Sequence, residues 1–147
     1  MKTPEFELLA HRLGYAGLLP FAVLSLLLWL VKADLHPYVA TALLCYGAVI
    51  ASFLGGIHWG IAFSLAPHKS EPAKRHLLWS VSLAGGAWVA AMMPAFAGLP
   101  LLGLVFVISY LVDRKWWPQA GLGAWLTLRF RLSMLAMVCC VFGAAAT

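Results

Sequence analysis

Charged side chains are scarce in this chain of 147 residues. Asp, Glu, Lys and Arg together make up 10% of it, whereas hydrophobic residues make up 63%. Soluble domains carry roughly 25% charged residues. The deficit excludes an ordinary soluble domain and indicates that most of the chain contacts lipid or other apolar helices. The length predicts a single domain, residues 1–147.

Cysteine motifs and the common catalytic motifs are also missing. Cys45, Cys139 and Cys140 lie in apolar segments, and there is no C-x-x-C spacing, which favours buried thiols over a metal or disulfide site. The chain contains no H-E-x-x-H, no G-x-S-x-G and no P-loop. No Asp or Glu lies within its apolar segments, although coupled transporters commonly depend on such groups. These absences predict a protein that is not an enzyme and that holds no metal or other cofactor.

Long apolar segments are what the chain has in abundance. About 20 such residues span a bilayer as a helix. Five segments stand out, at about residues 13–31, 38–66, 77–93, 95–112 and 125–146. The second has no formal charge between Pro37 and Pro67. The pattern predicts an all-α integral membrane protein, a five-helix transmembrane bundle within the lipid bilayer.

The basic residues indicate how five alternating spans are oriented. One side carries only Lys32, whereas the other side carries Lys2, Arg12, Lys69, Lys74, Arg75, Arg114, Lys115, Arg129 and Arg131. Lys and Arg concentrate in the cytoplasmic connections of membrane proteins. The split predicts a cytoplasmic N-terminus and a periplasmic C-terminus in a bacterial inner membrane. Because topology accounts for the net charge of +5, we expect no nucleic acid partner.

The second span has small residues on two faces. One stripe has the small-xxx-small spacing that lets membrane helices approach closely, and consists of Ser52, Gly56, Gly60 and Ser64. At 100° per residue, His58 falls on the other face, together with Gly47, Ala51, Gly55 and Ala62. We therefore expect this span to lie at the centre of the bundle and to pack against neighbours through Ser52, Gly55, Gly56, Gly60 and Ser64.

His58 is the one strongly polar side chain deep in this span. An unsatisfied polar group in hydrocarbon costs several kcal/mol, so the imidazole needs a partner. Three interpretations stay open. The ring is a neutral structural group bonded to a neighbouring helix, a proton-linked or ligand-binding group, or a metal or haem ligand.

The other ionisable groups gather on the predicted inner side. His58 lies about 9 Å from the middle of its span toward that side, where the fourth span ends at Asp113 and the fifth begins near Arg129 and Arg131. Arg129 lies about one turn inside its span, where an unpaired guanidinium is costly. The sequence predicts a polar pocket of His58, Asp113, Arg129 and Arg131, with Asp113 paired to one arginine.

Three functions remain in competition. The favoured interpretation is a non-enzymatic accessory or assembly protein that binds another membrane protein, or a second copy of itself, through its small-residue faces. The alternative is a small oligomeric transporter or channel with His58 lining the path. The third is a quinone- or haem-binding redox subunit, although a bis-histidine haem needs a second histidine at the depth of His58.

Several motifs also resemble one known family. They are the segments 13–21 (LGYAGLLPF), 52–60 (SFLGGIHWG), 110–113 (YLVD) and 125–132 (WLTLRFRL). The chain resembles small bacterial membrane proteins classified as domain of unknown function 3429, which have a mitochondrial relative in animals. The resemblance implies an inner-membrane location and implies neither an activity nor catalytic residues.

Overall fold

Helices account for nearly all of the chain. The structure is a computed structural model that describes residues 3–147. Its α-helices are α1 (Pro4–Ala16), α2 (Leu19–Leu30), α3 (His36–Leu65), α4 (Ser70–Met92), α5 (Ala95–Trp116) and α6 (Leu126–Ala145), and two short 3-10 turns, Pro118–Ala120 and Gly123–Trp125, connect α5 to α6. No β-strand occurs within residues 3–147. The predicted all-α fold is confirmed.

The first apolar segment forms two helices instead of one. α1 ends at Ala16, and α2 begins at Leu19 with Pro20 in its first turn. Proline has no N–H for a helical hydrogen bond and is favoured in the first turn, so the chain restarts there. At the break, the Tyr46 hydroxyl donates to the Gly17 carbonyl at 2.8 Å. This bond ties the junction of α1 and α2 to α3.

The remaining helices follow the predicted segments, with two extensions at one end of the bundle. α4 begins at Ser70, seven residues before the predicted start at 77, and α5 continues to Trp116 instead of ending at 112. Each extension adds charged residues to a helix. As a result, His76 and Asp113 are held on regular helices rather than in loops.

Four segments are long and apolar enough to cross a membrane: Pro4–Leu30, His36–Leu65, Ala95–Trp116 and Gly123–Ala145. α4 is not among them, since its first two turns carry Glu71, Lys74, Arg75 and His76. Its 23 residues reach about 34 Å at 1.5 Å per residue, and it packs chiefly against α3. The fifth span and the orientation stay predictions, and Lys2, used for the orientation, lies outside the described residues.

One end of the bundle is held by apolar packing, and we call it the apolar end. Leu28, Leu43, Leu99 and Leu102 are fully buried there. Gly98 of α5 lies so near α4 that a Cβ atom would overlap the Ala90 carbonyl oxygen. These contacts bring the helices together, and the Trp29 indole N–H of α2 adds one hydrogen bond to the Phe142 carbonyl oxygen of α6 at 3.2 Å.

The opposite end is where α3 ends, α4 begins, α5 ends and α6 begins, and we call it the cluster end. Gly121 has a φ of 78°, a left-handed conformation that glycine adopts without strain. It ends the first 3-10 turn, so that the chain turns back from α5 into α6. The two hairpins α3–α4 and α5–α6 thus place the ends of four helices together.

Candidate functional site

His58 points into the bundle from the buried face of α3. The face that contains Ala51, Gly55 and Ala62 is buried, and His58 is 1% exposed. Gly55 makes room for α4, since a Cβ atom there would lie 3.1 Å from the Ser80 carbonyl oxygen. The imidazole therefore sits between α3, α4 and α5 and not against lipid.

Both ring nitrogens of His58 have partners. Nε2 lies 2.9 Å from Asp113 Oδ1, and Nδ1 lies 2.8 Å from His76 Nδ1. Because a carboxylate only accepts hydrogen bonds, His58 Nε2 carries a proton and donates it to Asp113. In the neutral ring, Nδ1 is then the acceptor, so His76 Nδ1–H donates to it. The planes of the two rings are inclined by 28°, and their centres lie 5.1 Å apart.

Arg129 of α6 continues the chain of bonds. Its Nε donates to Asp113 Oδ2 at 2.7 Å, and its Nη2 donates to Ser109 Oγ at 2.7 Å. Its Nη1 donates to Ser133 Oγ, one turn further along α6. Four helices are thereby joined by one buried polar cluster, consisting of His58, His76, Ser109, Asp113, Arg129 and Ser133.

The charges within the polar cluster balance. Asp113 is 1% exposed and Arg129 is 6% exposed, so both charges are buried. The carboxylate uses both oxygens, one for each of its partners, and the guanidinium neutralises it. Excellent geometry and complete hydrogen bonding are what a buried ion pair needs to offset its desolvation cost. With both histidines neutral, the cluster carries no net charge.

An aromatic cover closes the polar cluster at the His76 side. The Trp116 ring lies 5.2 Å from the His76 ring and 6.3 Å from the His58 ring. The Arg75 guanidinium lies 4.3 Å from the centre of the Trp116 ring, which is the distance of a cation–π contact. Trp116 and Arg75 thus shield the two histidines from the surface.

Three of the four predicted pocket residues come together, but Arg131 does not. Asp113 pairs with Arg129, one of its two predicted partners. Arg131 is exposed, and its guanidinium lies 3.5 Å from the Tyr15 hydroxyl. Two residues along a helix are about 200° apart around its axis. Arg129 and Arg131 therefore cannot both face Asp113, and the inclusion of Arg131 was wrong.

His76 is the functional candidate that the sequence interpretation missed, because it precedes the apolar part of α4. The positions of the two histidines in the sequence could have indicated that they meet. His58 lies nine residues before Pro67 and His76 lies nine residues after it. Since the α3–α4 connection is a tight turn around Pro67, equal separations place the two histidines at equal depth.

The predicted packing residues divide between the two faces of α3. Gly55 packs against α4 as expected. Ser52, Gly56, Gly60 and Ser64 are exposed, and a Cβ atom at Gly56 or Gly60 would have no neighbour within 4 Å among the described residues. The expectation that this stripe packs inside the bundle was wrong. The helical period shows that α3 has two small-residue faces on different sides of the helix. It does not show which of them faces the inside of the bundle.

Possible metal ligands do not assemble into a typical site. Within residues 3–147 there is no group of three or more His, Cys, Asp or Glu side chains arranged to hold a metal ion. His58 also uses both ring nitrogens in hydrogen bonds. What the arrangement does is join the two histidines, Asp113 and Arg129 in one continuous chain of hydrogen bonds across four helices.

Comparison with known proteins identifies the family. The profile of the family described as "Protein of unknown function (DUF3429)" matches residues 7–145. The chain belongs to this family. The predicted resemblance is therefore confirmed, and the family profile covers every member of the polar cluster.

A curated relative of this DUF3429 protein is Transmembrane protein 69 of Xenopus tropicalis. The two are 39% identical over 105 residues, which cover 67% of this chain and 40% of the relative. The chain thus spans about two fifths of the length of that relative. No solved structure matches the chain. With its apolar helices, this similarity identifies a multi-pass membrane protein.

Proposed function

We propose that this DUF3429 protein is a non-enzymatic accessory or assembly protein that binds a transmembrane helix of another membrane protein. The binding surface is the outward stripe of α3, formed by Ser52, Gly56, Gly60 and Ser64. The single observation that carries the proposal is that the four residues of the stripe are exposed and that a Cβ atom at Gly56 or Gly60 would meet no neighbour within 4 Å among residues 3–147.

Gly56 and Gly60 make α3 less stable as a helix, and they do not allow any other helix of this chain to pack closely in return. Glycine in a helix interior is about 1 kcal/mol less favourable than alanine, and a Cβ atom at Gly56 or Gly60 would have no neighbour within 4 Å among residues 3–147. Exposed Phe53, Trp59 and Phe63 stand beside the stripe. Small residues between bulky side chains form a groove that fits the backbone of another helix.

The closed polar cluster supports a binding function over a transport path. His58 is 1% exposed, and each of its ring nitrogens is bonded to a buried partner. A pore-lining group needs contact with water or a solute, whereas a group that joins helices needs fixed partners. The cluster therefore supports a rigid bundle that presents α3 to a partner.

A photo-crosslinking amino acid at position 56 tests the proposal in native membranes. We expect a crosslink to one other membrane protein at position 56. The control is the same probe at Gly85 on α4, which is exposed and whose Cβ position is equally open. This control position should not give the crosslink. A crosslink only to a second copy would replace the foreign partner by self-association. Crosslinking to lipid alone at position 56 would contradict the proposal.

A bulky substitution provides the second arm of that experiment. Gly56→Leu should abolish the crosslink from a neighbouring probe position while leaving the purified protein folded, because a Cβ atom at position 56 would have no neighbour within 4 Å among residues 3–147. Gly85→Leu adds the same side chain to an open face of α4 and should leave the crosslink unchanged. Loss of folding in Gly56→Leu alone would show that the stripe is internal to the protein.

We also propose that the protein lies in a bacterial inner membrane with its N-terminus in the cytoplasm. The basic residues support this orientation. A reporter that is active only in the periplasm should work when fused after Thr147 and fail when inserted in the 67–76 segment. The reverse result, or activity at both positions, would contradict the five-span topology.

A further inference from the structure

A shallow groove lies at the cluster end of the bundle, between the start of α4 and the end of α5. Its volume is about 420 Å³. Its walls include Glu71, Lys74, Arg75, Leu78 and Trp79 from α4 and Trp116 from α5. We call it the α4–α5 groove. Charged side chains line the part nearest the start of α4, and apolar ones line the part further along that helix.

Arg75 is a half-buried cation without a counter-charge. Lys74 donates to Glu71 at 2.8 Å, so the carboxylate of the groove is already paired. No carboxylate within residues 3–147 forms an ion pair with Arg75. The three charged side chains of the groove therefore leave one positive charge unbalanced. A ligand with one negative charge would balance it.

Two tryptophans support the Arg75 side chain and leave its end open. The guanidinium lies 4.3 Å from the centre of the Trp116 ring, and the Trp79 ring lies 6.3 Å from the Trp116 ring at 80° to it. Of the three guanidinium nitrogens, only Nε is both covered and unpaired. Nη1 and Nη2 make no hydrogen bond within the described chain either, so they stay open to a ligand. Such a planar pair of donors matches the oxygens of a phosphate.

The charged part of the groove has the depth of one lipid headgroup layer. Glu71 and Arg75 are four residues apart, which is about 6 Å along a helix. The headgroup region on each side of a bilayer is about 5–8 Å thick. Further along α4, Leu78 is 72% exposed and Trp79 lines the groove. Tryptophan is typical of the boundary between headgroups and hydrocarbon, so an acyl chain fits this part of the groove.

We propose that the α4–α5 groove binds a phospholipid with a single negative charge, such as phosphatidylglycerol. The phosphate accepts from Nη1 and Nη2 of Arg75, and one acyl chain lies along Leu78 and Trp79. A zwitterionic phospholipid fits less well, because its ammonium group brings back the positive charge that the phosphate removes. Among residues 3–147, the lining of the groove comes from α4 and α5 alone. The proposal therefore does not depend on a protein partner at the outward stripe of α3.

Native mass spectrometry of the full-length protein, released from detergent after titration with defined lipids, tests this site. Dioleoylphosphatidylglycerol and dioleoylphosphatidylcholine have the same acyl chains, so their comparison isolates the headgroup. The wild-type protein should bind one molecule of the anionic lipid about fivefold more tightly than the zwitterionic lipid, as expected for one basic residue near an anionic headgroup. Equal affinities for the two lipids would overturn the proposal.

Two variants that each remove one positive charge locate the bound lipid. Arg75→Gln should abolish the preference, so that both lipids bind equally. Arg114→Gln removes the same charge from an exposed position of α5 at the same end of the bundle, outside the groove, and should keep the preference. Equal losses in the two variants would indicate diffuse attraction to the basic end of the bundle and would overturn the groove as the site.

Free phosphate is the other source of the same chemistry. Inorganic phosphate at the concentration of the lipid should not displace phosphatidylglycerol from the wild-type protein, because it has no acyl chain to lie along Leu78 and Trp79. Displacement at that concentration would show a site for free phosphate instead of a lipid and would overturn the proposal.

Discussion

The two ends of the bundle hold their helices together by different means. At the cluster end, side chains from four helices meet in specific hydrogen bonds, of which that from Arg129 to Asp113 is 2.7 Å long. At the apolar end, glycines such as Gly98 bring backbones into direct contact. Hydrocarbon provides no hydrophobic drive between helices, so packing and polar bonds must both contribute. The cluster specifies which residues face one another, and the glycines specify how closely the helices approach.

The largest effect is expected from breaking the ion pair at the cluster end. Asp113→Asn leaves the Arg129 guanidinium buried without a counter-charge, which typically costs about 3–5 kcal/mol. The measurement is the free energy of unfolding in detergent. Adding Arg129→Gln should restore part of the loss, because no charge then remains buried. A double variant less stable than Asp113→Asn alone would contradict the pairing.

A smaller loss is expected at the apolar end. Gly98→Ala places a Cβ atom against the Ala90 carbonyl oxygen, so α4 and α5 must move apart at a cost of about 1–3 kcal/mol. Gly85→Ala makes the same chemical change on an open face of α4, where alanine is the better helix former, and should not destabilise. Equal unfolding temperatures for the two variants would rule out the close approach of α4 and α5.

Removing one histidine should have a still smaller effect. His76→Phe keeps a ring beneath Trp116 and leaves His58 Nδ1 without its donor, which should cost about 0.6–1.7 kcal/mol. Nitrogen NMR of labelled histidine checks the bonding directly. In the wild-type protein His58 should be protonated at Nε2 and His76 at Nδ1. A His58 ring protonated only at Nδ1 would contradict the bond from Nε2 to Asp113.

The smallest effect is expected at Arg131, the residue that the sequence wrongly placed in the pocket. Its side chain is exposed, and its contact with Tyr15 is 3.5 Å long. Arg131→Gln should change the free energy of unfolding by no more than about 0.5 kcal/mol. Arg129→Gln, two residues earlier, is the matched comparison and should be strongly destabilising. Similar losses for both would require Arg131 to carry a buried contact.

The sequence predicted those parts of the site in which a buried group could have only one partner. Arg129 needed a counter-charge within the membrane, and Asp113 was the one carboxylate at the right depth. His58 needed polar partners, but the sequence did not say which, and His76 was missed because its helix continues beyond its apolar segment. The two small-residue faces of α3 could not be distinguished either. Periodicity gives angles around a helix, whereas burial depends on where the other helices pack.

The polar cluster also constrains how the protein is made. A ribosome delivers α3 and α5 to the membrane before α6, so His58 and Asp113 enter the bilayer before the residue that neutralises the carboxylate has been synthesised. Until Arg129 arrives, Asp113 lacks the partner that neutralises it in the folded protein. The last helix is therefore the one that completes the assembly.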